Sequence, residues 1–207
     1  MSLLEPSCRL TDGEYLEIER AAEFKSEFFE GEMFAMAGGT PQHSLISANI
    51  AGEIGFRLKK SSYTVYNSNL RLKIEATGLF TYPDLSVICG PLQFAEGTKD
   101  TVLNPSLLVE VLSNSTEAFD RGKKFEHYRQ IPSLQAYLLV SQKEPRIEQF
   151  IRQSDGCWML NEAVGLDATL ELPSLQISLP LAEVFDKVEF IPAPIRLFLP
   201  RARPESS

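Results

Sequence analysis

An α+β or mixed α/β sandwich is the fold class that this 207-residue sequence predicts, and three observations predict it. Ile46, Ile50, Ile54 and Leu58 recur every four residues, the stripe of an amphipathic helix. Leu70, Leu72 and Ile74 alternate with Asn69, Arg71 and Lys73, the period of a half-buried strand. The run Leu107-Leu108-Val109-Glu110-Val111-Leu112 is short and almost wholly apolar, as in a central strand covered on both faces. Helical and strand patterns mix along the chain without strict βαβ alternation.

The elements follow in order. Thr11, with Glu14 three residues on, forms a capping box for a helix running to about Ala22. In residues 24–37 aromatic and charged residues alternate around Glu30-Gly31, a hairpin with its turn there. Gly38-Gly39 break that strand, Thr40 suits an N-cap and Pro41 the first helical position, so the isoleucine stripe belongs to the helix that starts here. Two strands are expected next, over 64–74 and 80–90, with a turn at Glu75-Ala76-Thr77-Gly78 between them. Pro83 sits near the start of the second, where a missing N–H is tolerated. A loop over 91–105 leads into the central strand. Residues 115–132 read as a helix stopped by Pro132, and 136–153 as a hairpin turning at Lys143-Glu144-Pro145. The last third suggests short strands and a small final helix. Residues 1–190 are expected to form one domain, and 191–207, with four of the chain's 13 prolines, a Pro-rich tail.

Composition narrows the function. Hydrophobic residues make up 43% and charged residues 23%, which excludes a disordered chain, a collagen-like repeat and a coiled coil. No apolar run approaches the roughly 18 residues of a membrane span, so no membrane partner is expected. The opening residues lack the basic-then-apolar pattern of a secretory signal. Three scattered cysteines (Cys8, Cys89, Cys157) suit a reducing compartment, so the expected location is the cytoplasm, and no CxxC pair points to zinc. The 20 basic and 28 acidic residues leave a net charge of −8. That balance opposes tight non-specific binding of nucleic acid unless positive charge is concentrated locally. It is compatible with a site for divalent cations.

Two carboxylates stand where carboxylates are costly. Glu110 interrupts the apolar run, and burying an unpaired carboxylate costs several kcal/mol, so such a residue is paired, metal-bound or set at a strand end facing a cleft. Asp84 opens the strand Leu85-Ser86-Val87-Ile88 directly after Pro83. If their strands are neighbours, the two share one metal ion. Lys124 lies four residues after Asp120 and four before Tyr128, so the three occupy one helix face that can direct the lysine toward Glu110. Taken alone, the Asp120–Lys124 pair reads as an exposed salt bridge. His43 projects from nearly the same helix face as Ile50, as either a packing residue or a base.

Together these residues resemble the PD-(D/E)XK nuclease pattern with a displaced lysine, and more specifically the Uma-two family of restriction endonucleases. The resemblance covers about residues 11–188. It rests on Phe29-Glu30-Gly31-Glu32, Pro41-Gln42-His43 with Asn49-Ile50, Tyr82-Pro83-Asp84-Leu85-Ser86-Val87, Leu108-Val109-Glu110-Val111-Leu112-Ser113, and Asp120-Arg121-Gly122-Lys123-Lys124 with Tyr128. It implies a restriction-endonuclease-like core, a central mixed β-sheet flanked by helices, and a dimer. It implies metal carboxylates at Asp84 and Glu110, the catalytic lysine at Lys124, and an accessory acid at Glu32. Leu112 stands where the pattern usually has its lysine, and Ser113-Asn114-Ser115 where the family tends to have Ser-Pro-Ser.

The expected activity is metal-dependent hydrolysis of DNA phosphodiester bonds. Asp84 and Glu110 would hold Mg2+, with Mn2+ as a substitute. Lys124 would orient or help deprotonate the attacking water, and His43 and Tyr128 would be accessory. Arg71, Lys73, Arg121 and Lys123, with Arg129, would supply charge to the DNA backbone. A homodimer would suit a duplex. The competing reading is a catalytically inert binding or assembly module on the same fold, and a third is an enzyme acting on RNA or a nucleotide.

Overall fold

The structure, a computed structural model, describes residues 9–36 and 38–190. Helix α1 (Asp12–Ala21) starts at Thr11 with a complete capping box: the Glu14 N–H donates to the Thr11 hydroxyl and the Thr11 N–H to the Glu14 carboxylate. Strands β1 (Ser26–Phe29) and β2 (Glu32–Ala35) pair antiparallel across Glu30-Gly31, whose φ angles are both positive at 50° and 84°. A Cβ on Gly31 would stand 2.5 Å from Arg9 Cβ, so space and backbone both require glycine. Helix α2 (Pro41–Arg57) is capped by Thr40 and buries Ile46, Ile50 and Ile54.

The two long strands expected at 64–74 and 80–90 are each two strands. The first divides into β3 (Tyr63–Asn67) and β4 (Arg71–Ile74) at a turn closed by the Leu70 N–H on the Asn67 carbonyl. The second divides into β5 (Leu79–Thr81) and β6 (Leu85–Cys89) at Tyr82-Pro83-Asp84. Strands β4 and β5 belong to a five-stranded sheet of order β2-β1-β5-β4-β7, with β7 at Thr101–Val102. Strands β3 and β6 belong to a six-stranded sheet of order β11-β10-β9-β8-β6-β3. The apolar alternation runs on across the break and hides it. Pro83, lacking an N–H, stands at one of the two crossings.

The six-stranded sheet is completed by β8 (Pro105–Val111), β9 (Ala136–Val140), β10 (Arg146–Arg152) and β11 (Trp158–Val164). Strand β8 lies between antiparallel β6 and parallel β9, and all seven of its residues are buried. Its period of two separates its faces. Leu107, Val109 and Val111 pack with the α2 stripe and with the hairpin β12 (Thr169–Leu172) and β13 (Ile177–Pro180), which leads into α5 (Leu181–Val184). Leu108 and Leu112 join the opposite cluster, which Leu72 and Leu79 of the smaller sheet share. Glu110 lies between these two in sequence and takes the same face.

The helix expected over 115–132 is α3 (Glu117–Phe119), a π-helical turn (Asp120–Lys124) and α4 (Phe125–Tyr128). Asp120, Lys124 and Tyr128 are all buried, so they share the face turned to the sheets. A third cluster, Tyr15, Leu16, Phe28 and Phe80, seats α1 on the smaller sheet. Mixed sheets flanked by helices are thus the architecture. Among the described residues no helix is long and apolar enough to cross a membrane. The tail expected over 191–207 lies outside the described residues.

Replacing Gly31 by alanine is expected to lower stability by about 1–3 kcal/mol, because φ of 84° strains a Cβ-bearing residue and Arg9 must move. Urea unfolding measures it; an unchanged midpoint would mean that the hairpin turn relaxes freely.

Candidate functional site

Asp84 precedes β6 by one residue, and its side chain carries on the ladder that the strand has not yet begun. Its Oδ2 accepts the Val111 N–H at 2.8 Å, while its own N–H approaches Glu110 Oε2 at 3.4 Å. The two carboxylates are thereby set side by side at neighbouring strand ends. His43, in the first turn of α2, places Nε2 3.1 Å from Asp84 Oδ2, and its own N–H donates to Thr40 Oγ1. Gln142 fixes this helix end: its carbonyl accepts from Gln42 Nε2, its Oε1 from Thr40 Oγ1, and its Nε2 donates to the Leu112 carbonyl.

Below Asp84 the site is buried. Glu110 Oε1 accepts the Tyr128 hydroxyl at 2.6 Å and lies 2.9 Å from Lys124 Nζ. Lys124 also reaches Glu27 Oε1 at 3.2 Å and Asp120 Oδ1 at 3.5 Å. Thr81 Oγ1 donates to the same Glu27 oxygen. One ammonium group therefore faces three carboxylates, with Asp84 a fourth alongside.

The protonation states follow from this crowding. Burial alone would push Lys124 down, but Glu110, Glu27 and Asp120 hold it well above the ordinary lysine range, so it stays a cation. Burial pushes Glu110 up to about 8, against the pull of Lys124, and Asp84 and Asp120 add to the rise. Burial also raises Asp120, with Lys124 opposing. His43 is raised by its hydrogen bond to Asp84, against a downward pull from burial.

These groups open onto a cleft of about 1560 Å³ lined by both sheets, α2 and the π turn. Among the described residues no three His, Cys, Asp or Glu side chains converge as ligands of one ion. Asp84 and Glu110 can therefore supply two carboxylates and no complete cage. That donor set fits Mg2+, which prefers oxygen and keeps several waters, better than tetrahedral zinc.

The expected Asp84, Glu110, Lys124, His43 and Tyr128 come together here. Glu32 does not: it is exposed on β2 across from Phe29, and is not among the residues that line the cleft. The hairpin acid that reaches Lys124 is Glu27. Its signal in the sequence is the one that singled out Glu110, a carboxylate on a strand beside large apolar residues, Phe28 and Phe29. Asp120 is a buried partner rather than half of an exposed salt bridge. The basic set does not converge on the cleft. Arg71 is buried, donating to the Tyr82 hydroxyl at 2.8 Å with Asp100 at 3.6 Å. Lys73 pairs with Asp12, Arg121 with Glu117 and Glu148, and Lys123 with Glu126; Arg129 is exposed away from the cleft lining. A period-two pattern shows which side chains leave a strand together, but not that the other sheet or a helix lies over them.

The chain resembles known proteins in sequence and in fold. The sequence profile of the Uma2 family, described as "Putative restriction endonuclease", matches residues 12–182. Two Synechocystis proteins, "Uncharacterized protein sll1609" and "Uncharacterized protein slr1290", are 37% and 36% identical over 168 and 185 residues. Those matches cover 81% and 89% of this chain and 95% and 96% of theirs. A crystal structure of "a putative nuclease belonging to DUF820" from Anabaena variabilis superimposes with a TM-score of 0.71 at 20% identity. It covers 87% of this chain and 99% of its own, which shows a shared fold.

Two outcomes test the electrostatics. Replacing Lys124 by methionine leaves Glu110 and Asp120 without their cation, raising their folded pKa values further above the ordinary 4.5 and 3.8. The folded state then binds more protons than the unfolded one, so stability falls as pH rises. The loss relative to wild type is expected to be smallest near pH 5 and to reach about 3–5 kcal/mol at pH 8. A pH-independent loss in urea titrations would contradict this. In NMR titrations the two histidines should fall on opposite sides of 6.5: His43 above it through Asp84, and His127 below it through burial. Asp84→Asn should move only the first downward.

Proposed function

This chain belongs to the Uma2 family, and from that premise we propose that it is a Mg2+-dependent nuclease that hydrolyses DNA phosphodiester bonds in the cleft described above. The observation that carries the reading is the side-by-side placement of Asp84 and Glu110 at adjacent strand ends, beside a lysine held as a cation. In each carboxylate one oxygen carries the stronger protein contacts. Oδ2 of Asp84 takes Val111 and His43, and Oε1 of Glu110 takes Tyr128 and Lys124. Among the described residues Asp84 Oδ1 takes no protein donor and Glu110 Oε2 takes only the Asp84 N–H at 3.4 Å, so these two oxygens would hold the ion. A bound Mg2+ supplies Lewis acidity for the scissile phosphate and acidity for a water.

The protein's own groups do the rest. Lys124 is too strongly held as a cation to accept a proton, so it is not the base; it orients Glu110 and stabilises negative charge building on the phosphate. Tyr128 fixes the Glu110 carboxylate in one rotamer through its hydroxyl. His43 fixes Asp84, and in its neutral form can accept a proton.

Calorimetric titration of Mg2+ or Mn2+ into the full chain tests the reading first. Because Glu110 takes up a proton below about 8, the ion must displace it. Affinity is therefore expected to rise by up to about tenfold per pH unit from pH 6 and to level off above 8. Asp84→Ala should remove the heat of binding. Plasmid cleavage should need the metal and fall roughly 100-fold or more in Lys124→Ala. Neither binding nor cleavage, with a DNA fragment present, would defeat the proposal.

A further inference from the structure

The cleft is larger than the roughly 300–1,000 Å³ of pockets that hold small ligands, so it has room for several units of a polymer. Its basic side chains are already engaged. Lys25 Nζ donates to the Ser68 carbonyl at 2.7 Å and to Asn69 Oδ1 at 2.8 Å, and Lys143 pairs with Glu117 at 2.7 Å. His43 and Lys124 serve Asp84 and Glu110. What the cleft offers instead is aromatic surface. Five phenylalanines are substantially exposed among the described residues, and three of them, Phe24, Phe34 and Phe119, line this cleft at 77%, 49% and 39% exposure. They come from the segment before β1, from β2 and from the end of α3, and they line the same cleft as Asp84 and Glu110.

A duplex presents phosphates outward and keeps its bases stacked, so its grip depends on many cationic contacts. An unpaired strand exposes base faces that stack on aromatic rings whatever the sequence. Resting on the nuclease reading above, we infer that the cleft takes single-stranded nucleic acid in preference to intact duplex, with Phe24, Phe34 and Phe119 as its stacking surface.

The test is fluorescence anisotropy of a labelled 12-nucleotide single strand, as DNA and as RNA, and of the matching duplex. The full chain is used in Ca2+, which the same oxygens can bind. A single strand of either kind is expected to bind at least tenfold more tightly than the duplex. Its salt dependence should be shallow, since few phosphates are neutralised. Phe24→Ala should weaken that binding by about tenfold, and Phe24→Leu by as much, while Phe24→Trp restores it. Phe24 is so exposed that these variants should fold, and Phe119→Ala gives an independent second site. Equal or tighter duplex binding, or a leucine variant equal to wild type, would overturn the inference and leave the nuclease reading intact. Failure to bind any of the oligonucleotides would also overturn it. The metal titration on the same samples then shows separately whether the carboxylate site stands.

Discussion

The architecture around the cleft depends on one ammonium group placed where ammonium groups are costly. Lys124 is buried, and its neutralisation comes from three elements at once: β8 through Glu110, β1 through Glu27, and its own π turn through Asp120. On the surface such pairs would contribute little. Without the carboxylates, burial would strip the lysine of its proton. The charge is thus a condition on the fold as much as on the site, because β1 and β8 belong to different sheets and must arrive in register for it to be met.

The same crowding polarises the carboxylates. Asp84 Oδ2 takes the Val111 N–H and Glu110 Oε2 approaches the Asp84 N–H, while Tyr128 and Lys124 hold Glu110 Oε1. The two carboxylates are held in place by Tyr128, Lys124, His43 and the Val111 N–H. Gln142 extends this rigidity outward by tying the first turn of α2 to the end of β8.

Much of the fold was legible because local rules dominate where they act alone. The Thr11–Glu14 box, the Glu30-Gly31 turn, the Thr40-Pro41 start and the isoleucine stripe each reflect a preference that tertiary contacts do not oppose. The two split strands were illegible for the complementary reason. Leu70, Leu72 and Ile74 keep their alternation whichever sheet they join, so no residue announces the change of sheet. Asp84 and Glu110 stood out as carboxylates on apolar strands, and Lys124 through the helix face it shares with Asp120 and Tyr128. Glu27 is another such carboxylate, but Glu32 lies nearer the turn and fits the family resemblance, and only the pairing of β1 with β5 brings Glu27 beside Thr81 and Lys124. Arg71 was misread because an alternating face need not meet water: α1 and Tyr82 cover it.

Glu27, Asp84, Glu110, Lys124 and Gln142 span more than half of the chain, and the contacts among the first four, like that of Gln142 with Leu112, join separate segments. Such contacts form late in folding, after the costs of closing long loops have been met. A chain still emerging from the ribosome therefore has no partial version of this site: before β8, the π turn and the β9–β10 loop have all been made, its acids are scattered on unfolded segments. The cluster therefore assembles in one step with the finished tertiary structure, and an incompletely folded copy does not hold it.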